Sequence, residues 1–119
     1  MKIYFCHSTG FDYKQELYDP IKGSGFYNEH QIVFPHGGLV EVFDTKEIIK
    51  GGDLIVAEVS LPSTGMGIEL GWANDFGIPV VCIYKTGAKV SKSLNVISKR
   101  FIEYRDGDDL VNKLIKVLK

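Results

Sequence analysis

One stretch of the chain, residues 53–73 (DLIVAEVSLPSTGMGIELGWA), constrains the fold most strongly, because it predicts a buried strand, a short loop and the start of a helix in direct succession. Residues 54–57 form a near-continuous apolar run, which is typical of a strand in a parallel sheet that is covered on both faces. Pro62 cannot donate a hydrogen bond to a neighbouring strand, so we expect the strand to end before it. The small residues 63–67 that follow would let backbone N–H groups come close to a ligand.

The helix after this loop carries a carboxylate at a position where this class of sheet binds ligands. Apolar residues from Ile68 to Phe76 give the helix one packed side, and Gly77 ahead of Pro79 predicts its end. Glu69 is therefore expected near the start of a helix, at the carboxyl end of a central strand. Open α/β sheets usually bind ligands at that edge, so we expect any chemistry to be located there.

The other segments alternate between strands and helices. Short apolar or β-branched runs predict four more strands, at residues 2–8, 30–34, 79–84 and 100–104. Capping residues and helical spacing predict helices at residues 13–21, from 44 or 45 to 50 and after a cap at 106–109, with one or two helical turns at 93–97. Five strands alternating with helices predict a single-domain α/β fold over residues 1–119, doubly wound and flavodoxin-like, with a parallel sheet in the order 2-1-3-4-5.

The amino-acid composition limits the kinds of molecule that the protein is expected to bind. The formal net charge is −1, so no overall electrostatic field would attract nucleic acid or an anionic membrane. No apolar run approaches the roughly 20 residues of a membrane span, and the chain enters a strand almost at once, so we expect a cytoplasmic protein. Cys6 and Cys82 both fall in predicted buried strands, which favours reduced core thiols. No spacing typical of a metal site is present, and we expect neither a metal nor a cofactor.

Residues 57–73, AEVSLPSTGMGIELGWA, resemble the motif A-E-V-[ST]-x-P-S-x-G-x-G-x-E-L-G-x-A of the nucleoside 2-deoxyribosyltransferase-like superfamily, which includes the deoxynucleoside 5′-monophosphate N-glycosidases. Every fixed position matches. The opening strand, YFCHS at residues 4–8, is similar to the family's YFC-x-S, and Cys82 and Ser93 also fall on family-like positions. The resemblance implies cleavage or transfer of N-glycosidic bonds in (deoxy)nucleosides or nucleotides.

The resemblance also implies roles for individual residues. Glu69 would be the nucleophile, and a carboxylate suits that role because it can stabilise an oxocarbenium-like transition state and trap it as a glycosyl ester. The motif serine and glycine would bind a 5′-phosphate at a helix start, and a serine from the neighbouring subunit of a homodimer would join them. The first strand and its loop would line the sugar and base pocket. The substrate-binding candidates are therefore Tyr4, Ser8, Ser63, Gly65, Gly67 and Ser93, with His7 beside them.

Three departures from the family pattern bear on the substrate. The position of the family's second carboxylate is occupied by Thr45, and Asp44 lies one residue earlier, which on a helix turns a side chain by about 100°. His7 replaces a family glycine, and the basic residue that follows in the glycosidases is absent. The chain is also shorter than those enzymes between its second and third strands. His7 or Asp44 is our candidate for the proton donor or the sugar-orienting group.

Other interpretations stay open at this point. His36 as well as His7 follows a strand and could act as an acid toward a leaving base, although a lone loop histidine is more often solvated. Glu69 could merely favour the helix dipole, and Trp72 is most simply a core or dimer-interface aromatic. The alternative functions are a non-catalytic nucleotide-binding or sensor module, motivated by the missing second carboxylate, and an N-glycosidase that acts on NAD.

Overall fold

A computed structural model describes residues 1–36 and 45–118. Five strands form one parallel sheet in the order β2-β1-β3-β4-β5, which confirms the predicted fold class and strand order. The strands are β1 (Lys2–His7), β2 (Gln31–Val33), β3 (Leu54–Glu58), β4 (Val80–Lys85) and β5 (Arg100–Tyr104). The helices are α1 (Asp19–Lys22), α2 (Gly25–Glu29), α3 (Thr45–Lys50), α4 (Thr64–Asp75) and α5 (Gly107–Val117), with a π-helical turn at Lys14–Tyr18 and a 3-10 helix at Lys92–Val96.

The helices cover both faces of the sheet, because side chains in the interior strands alternate between two hydrophobic clusters. One face of β1 and β3 packs against residues of α1, α2 and α5, for example Ile21 and Leu110. The other face packs against α3 and α4, for example Ile49 and Leu70. Both cysteines are buried on the α3–α4 face and form no disulfide, as expected for core thiols.

Some element boundaries differ from those that the sequence predicts. The helix expected at residues 13–21 begins as a π-helical turn and continues to Lys22, with Pro20 in the first turn of α1. The short helix α2 was not predicted, since Gly23 before it and Gly25 at its start look like a plain loop in sequence. Asp44 lies outside the described residues.

The central helix α4 starts four residues earlier than its apolar pattern suggests. Ser63 caps it by accepting a hydrogen bond from the Met66 N–H at 3.3 Å. At the other end Gly77 adopts a φ of 73°, and the N–H groups of Gly77 and Ile78 donate to the carbonyls of Asn74 and Ala73. This is the Schellman pattern that glycine favours, and it confirms the predicted end of the helix.

Candidate active site

Helix α4 separates two recesses at the carboxyl edge of the sheet. The first, which we name the Glu69 cleft, has a volume of about 300 Å³ and includes Tyr4, His36, Thr45, Gly65, Glu69 and Trp72 in its lining, completed by Pro35 and Ile68. The second, which we name the apolar pocket, has a volume of about 450 Å³ and includes Leu61, Ser63, Met66, Gly67, Leu70 and Ser93. Ionisable side chains are therefore concentrated in the smaller recess.

Glu69 lies in the second turn of α4, half-buried, against a tyrosine of the first strand. The hydroxyl of Tyr4, a side chain that is almost wholly buried, donates a hydrogen bond to Glu69 Oε2 at 2.5 Å. Glu69 Oε1 has no hydrogen-bond partner in residues 1–36 and 45–118, and it is not a buried atom. One carboxylate oxygen is thus held in place, and the other is available to a ligand in the cleft.

Burial raises the pKa of Glu69 above its ordinary value, and the hydrogen bond from Tyr4 opposes that shift by stabilising the carboxylate. Burial also raises the pKa of the Tyr4 hydroxyl, with a further contribution from the adjacent carboxylate. Tyr4 therefore remains protonated and acts as a hydrogen-bond donor at neutral pH. The hydrogen bond from Tyr4 therefore holds the Glu69 carboxylate in one orientation, while the pKa of Glu69 stays above that of a surface glutamate.

The start of α4 borders the same cleft and offers backbone donors. The first N–H groups of a helix have no partner within the helix, which leaves those of Thr64 and Gly65 free of intrahelical bonds. A Cβ atom added at Gly65 would meet nothing within 4 Å, so packing within the chain does not require glycine there. A helix start of this kind is favourable for an anion.

The sequence grouped Tyr4, His7 and Ser8 in one pocket, but only Tyr4 lines the Glu69 cleft. His7 is three residues from Tyr4 in β1, and side chains an odd number of residues apart point to opposite faces of a sheet. Ser8 is buried at the sheet edge, where its Oγ accepts a hydrogen bond from the Gly10 N–H at 3.0 Å. Both residues therefore lie beside the cleft and do not line it.

The imidazole of His7 is buried, with 6% of the residue exposed, and both of its nitrogens form hydrogen bonds. Nδ1 is 2.7 Å from the carbonyl oxygen of Ser8, which can only accept, so Nδ1 carries the hydrogen. Nε2 consequently accepts from the Tyr18 hydroxyl at 2.6 Å, and that hydroxyl accepts from the His36 N–H at 3.2 Å. Burial lowers the pKa of His7, so the ring is neutral at neutral pH.

Sequence reasoning left His36 open as a possible acid but did not include it among the site residues, and His36 lines the Glu69 cleft. Its ring centroid is 5.7 Å from that of His7 and 5.6 Å from that of Tyr13. The signal was present in the sequence, since His36 follows the strand that neighbours β1. The sequence did not show to which side of the sheet the loop after β2 turns.

A buried network fixes the loop between β3 and α4. Glu58, 1% exposed, accepts from the Ser60 N–H at 2.6 Å and from the Tyr104 hydroxyl. Ser60 Oγ in turn accepts from the Lys85 N–H at 2.8 Å. These bonds tie the ends of β3, β4 and β5 together, so Glu58 has a structural role at the base of the loop.

The remaining candidates are divided between the two recesses. Ser63, Gly67 and Ser93 border the apolar pocket, whereas Gly65 and Thr45 line the Glu69 cleft. In residues 1–36 and 45–118 there is no group of three or more His, Cys, Asp or Glu side chains that could hold a metal ion. The same residues contain no helix with the length and apolar character needed to cross a membrane.

Curated proteins with similar sequences are N-hydrolases of nucleotides. A 5-hydroxymethyl-dUMP N-hydrolase of Tetraodon nigroviridis is 33% identical over 101 residues, which is 71% of this chain and 70% of the relative. Proteins named as 2′-deoxynucleoside 5′-phosphate N-hydrolases from Syntrophotalea carbinolica and Methanosarcina barkeri are 44% and 49% identical over 48 and 39 residues. The matches span only 34% and 24% of those two proteins. No protein-family model matches the sequence.

Solved structures share the fold over almost the whole chain. A CMP N-glycosidase of Clostridium botulinum superposes with a TM-score of 0.68 at 19% identity, covering 96% of this chain and 98% of that one. A conserved protein from Enterococcus faecalis superposes with a TM-score of 0.65 at 16% identity, with 98% of both chains covered. At such identities the superpositions establish the architecture alone.

Proposed function

Because the chain belongs to the nucleoside 2-deoxyribosyltransferase-like superfamily, we propose that it cleaves the N-glycosidic bond of a (deoxy)nucleoside 5′-monophosphate, with Glu69 as the nucleophile. The observation that carries the proposal is the half-buried Glu69 carboxylate, which has one oxygen bonded to Tyr4 and the other open to the cleft. The names of the relatives support a nucleotide as the substrate class.

In the proposed reaction, Glu69 Oε1 attacks the anomeric carbon as the base departs, and water then hydrolyses the glycosyl ester. The hydrogen bond from Tyr4 keeps the other oxygen fixed, so that the free oxygen is presented to the sugar in one orientation. Trp72 and Ile68 add apolar surface to the same cleft, and the flat indole ring offers a base a face for stacking.

The 5′-phosphate is proposed to bind at the start of α4, where the N–H groups of Thr64 and Gly65 are free of intrahelical bonds. Ser63 can take part because its Oγ accepts from Met66 and still has its own hydrogen to donate. Gly67, one turn after Ser63, is proposed to keep this flank of the helix open to a ligand, since a Cβ added there would meet nothing within 4 Å.

We further propose that the protein forms a homodimer in which Ser93 contributes to the partner's phosphate site. Ser93 is exposed, and the apolar residues Leu61 and Val96 nearby are 40% and 80% exposed. Analytical ultracentrifugation of Val96→Lys tests this. A wild-type dimer that becomes a monomer in the variant supports the proposal, and a monomeric wild type refutes it. Lys92→Ala, on the same 3-10 helix, is the control.

The experiment that tests the function is base release, followed by chromatography, from a panel of nucleosides, 5′-monophosphates and NAD, with wild type beside Glu69→Ala. Glu69-dependent release from a monophosphate is expected. Release of nicotinamide from NAD would instead identify the NAD-type glycosidase. Absence of release from every compound, with nucleotide binding retained, would refute catalysis and favour the binding module. Glu103→Ala, which removes an exposed carboxylate from β5, is the matched control.

A further inference from the structure

We propose that Glu58 is a positioning residue for the 5′-phosphate. Through Ser60 it fixes the direction in which the chain leaves β3, and so the direction in which the first N–H groups of α4 point. This inference rests on the proposed function, because it requires a phosphate at the start of α4. Glu58 is 1% exposed and lies outside both recesses, so it acts on a ligand only through the loop between β3 and α4.

The Glu58 carboxylate is buried at the end of β3, where a charge is unfavourable unless its oxygens are hydrogen-bonded. The Tyr104 hydroxyl of β5 donates to Oε2, and the Ser60 N–H donates to Oε1 at 2.6 Å. Burial raises the pKa of Tyr104, and the adjacent carboxylate raises it further, so this hydroxyl keeps its hydrogen and remains a donor. An apolar residue would fill the same space without the cost of a buried charge. The carboxylate adds an acceptor that β5 holds at a fixed point under the loop.

The loop between this anchor and the helix is short and stiff. Ser60 is held a second time, since its Oγ accepts from the Lys85 N–H at 2.8 Å. Two residues follow before the N-cap Ser63, and one of them is Pro62, whose ring fixes its backbone φ angle. Ser63 is itself held by the hydrogen bond from the Met66 N–H. A shift at Ser60 would therefore be transmitted to the first turn of α4.

The first turn of α4 must be oriented accurately to bind a phosphate. Hydrogen bonds weaken steeply as their angle departs from linear, so the N–H groups of Thr64 and Gly65 suit a phosphate in one orientation only. Gly65 and Glu69 are four residues apart and line the same cleft, as this spacing on a helix requires. The phosphate contact at Gly65 therefore also sets how far the anomeric carbon lies from Glu69 Oε1. Loss of the bond between Glu58 and Ser60 should weaken binding of the phosphate and leave binding of the base unchanged.

The test is calorimetric binding of two ligands by proteins that all carry Glu69→Ala, so that no ligand is consumed. The first ligand is the monophosphate of the panel that the Glu69→Ala protein binds most tightly, and the second is the nucleoside with the same base and sugar. A hydrogen bond to a charged group contributes roughly tenfold or more in affinity, so Glu58→Met should raise Kd for the monophosphate by about tenfold. Kd for the nucleoside should change by less than about twofold. Glu58→Gln, whose amide oxygen can still accept from the Ser60 N–H, should restore most of the affinity.

A second loop variant and a control separate positioning from stability. Ser60→Ala removes the tether to Lys85 without changing a buried charge, so it tests the same loop where Glu58→Met does not fold. A neutral hydrogen bond is lost, and Kd for the monophosphate should rise by about threefold. Ser98→Ala is the matched control, because it removes a buried hydrogen bond, to the Val80 carbonyl at 2.6 Å, at the amino edge of the sheet. It should leave both Kd values unchanged.

Equal rises of Kd for the two ligands, or no rise for the monophosphate in either loop variant, would overturn the role of Glu58. A Glu58→Gln variant that binds as weakly as Glu58→Met would also contradict it. If the monophosphate binds no more tightly than its nucleoside before any loop change, the phosphate site is refuted together with this inference. Failure of the proposed cleavage is distinguished from these outcomes, because base release by wild type is measured separately from binding.

Discussion

The two flanks of α4 are built from one short motif and present opposite chemistry. The flank with Gly65, Ile68, Glu69 and Trp72 borders the Glu69 cleft, which contains a carboxylate, a tyrosine hydroxyl and an imidazole. The flank with Ser63, Met66, Gly67 and Leu70 borders the larger apolar pocket. Volume alone would favour the apolar pocket as the functional site. The arrangement of ionisable groups favours the smaller cleft instead, because bond cleavage needs a positioned nucleophile and a proton source.

The largest effect on stability should come from the apolar flank. Leu70 is 2% exposed and joins α4 to the sheet, so Leu70→Ala should lower the free energy of unfolding by about 3 kcal/mol. Ile68→Ala, two residues away on the cleft flank and 51% exposed, should cost less than about 1 kcal/mol. Urea unfolding measures both, and equal losses would contradict the difference in packing between the two flanks.

A smaller effect of opposite sign is expected at the start of the helix. Gly65→Ala should raise the free energy of unfolding by about 0.5 to 1 kcal/mol, because alanine loses less backbone entropy and its Cβ enters open space. The same change should raise KM for the monophosphate, because the Cβ occupies the approach to the backbone donors. Gly71→Ala, also in open space on α4, should stabilise the protein without changing KM. If KM is unchanged in Gly65→Ala, phosphate does not bind there.

The Tyr4–Glu69 hydrogen bond should be visible in the pH profile. The nucleophile must be ionised, so activity is lost as pH falls through the pKa of Glu69, which burial raises. Tyr4→Phe removes the donor that opposes this shift, so the acid limb of kcat/KM should move to higher pH. Tyr84→Phe, which removes a hydroxyl from β4, should leave the limb in place. A limb unmoved in Tyr4→Phe would show that Tyr4 does not stabilise the carboxylate.

The smallest effect concerns stability as a function of pH. Because the folded-state pKa of Glu69 is raised above its unfolded value, proton binding stabilises the fold, and that contribution is lost as pH rises through the folded-state pKa. Glu69→Gln carries no charge at any pH, so its melting temperature at pH 7 should be higher than that of wild type. The difference should vanish near pH 4, about the pKa of a glutamate in the unfolded chain. Glu103→Gln, the control, should show no difference in melting temperature that depends on pH in this way. A Glu69→Gln variant with a melting temperature below that of wild type at pH 7 would contradict the prediction.

Much of the fold was predictable because it depends on local signals. Apolar runs and punctuating glycines and prolines located all five strands, and Gly77 marked the end of α4. The grouping of Tyr4 with His7 was less successful, although the alternation of a strand already places side chains at odd spacing on opposite faces. Ser63, the N-cap of α4, and Gly65, in its first turn, border different recesses, which their closeness in sequence did not indicate.

The sequence alone determined the parallel sheet, its order and the location of Glu69 on the helix that follows β3. These follow from periodicity and from connections that span few residues. Only the tertiary structure decided that Tyr4 donates a hydrogen bond to Glu69 and that His36 lines the same cleft. It also decided that Ser63 and Ser93 border the apolar pocket on the other side of α4. The physical reason is that these residues meet through the packing of separate elements on two faces of a sheet, and no local pattern encodes which side chains that packing brings together.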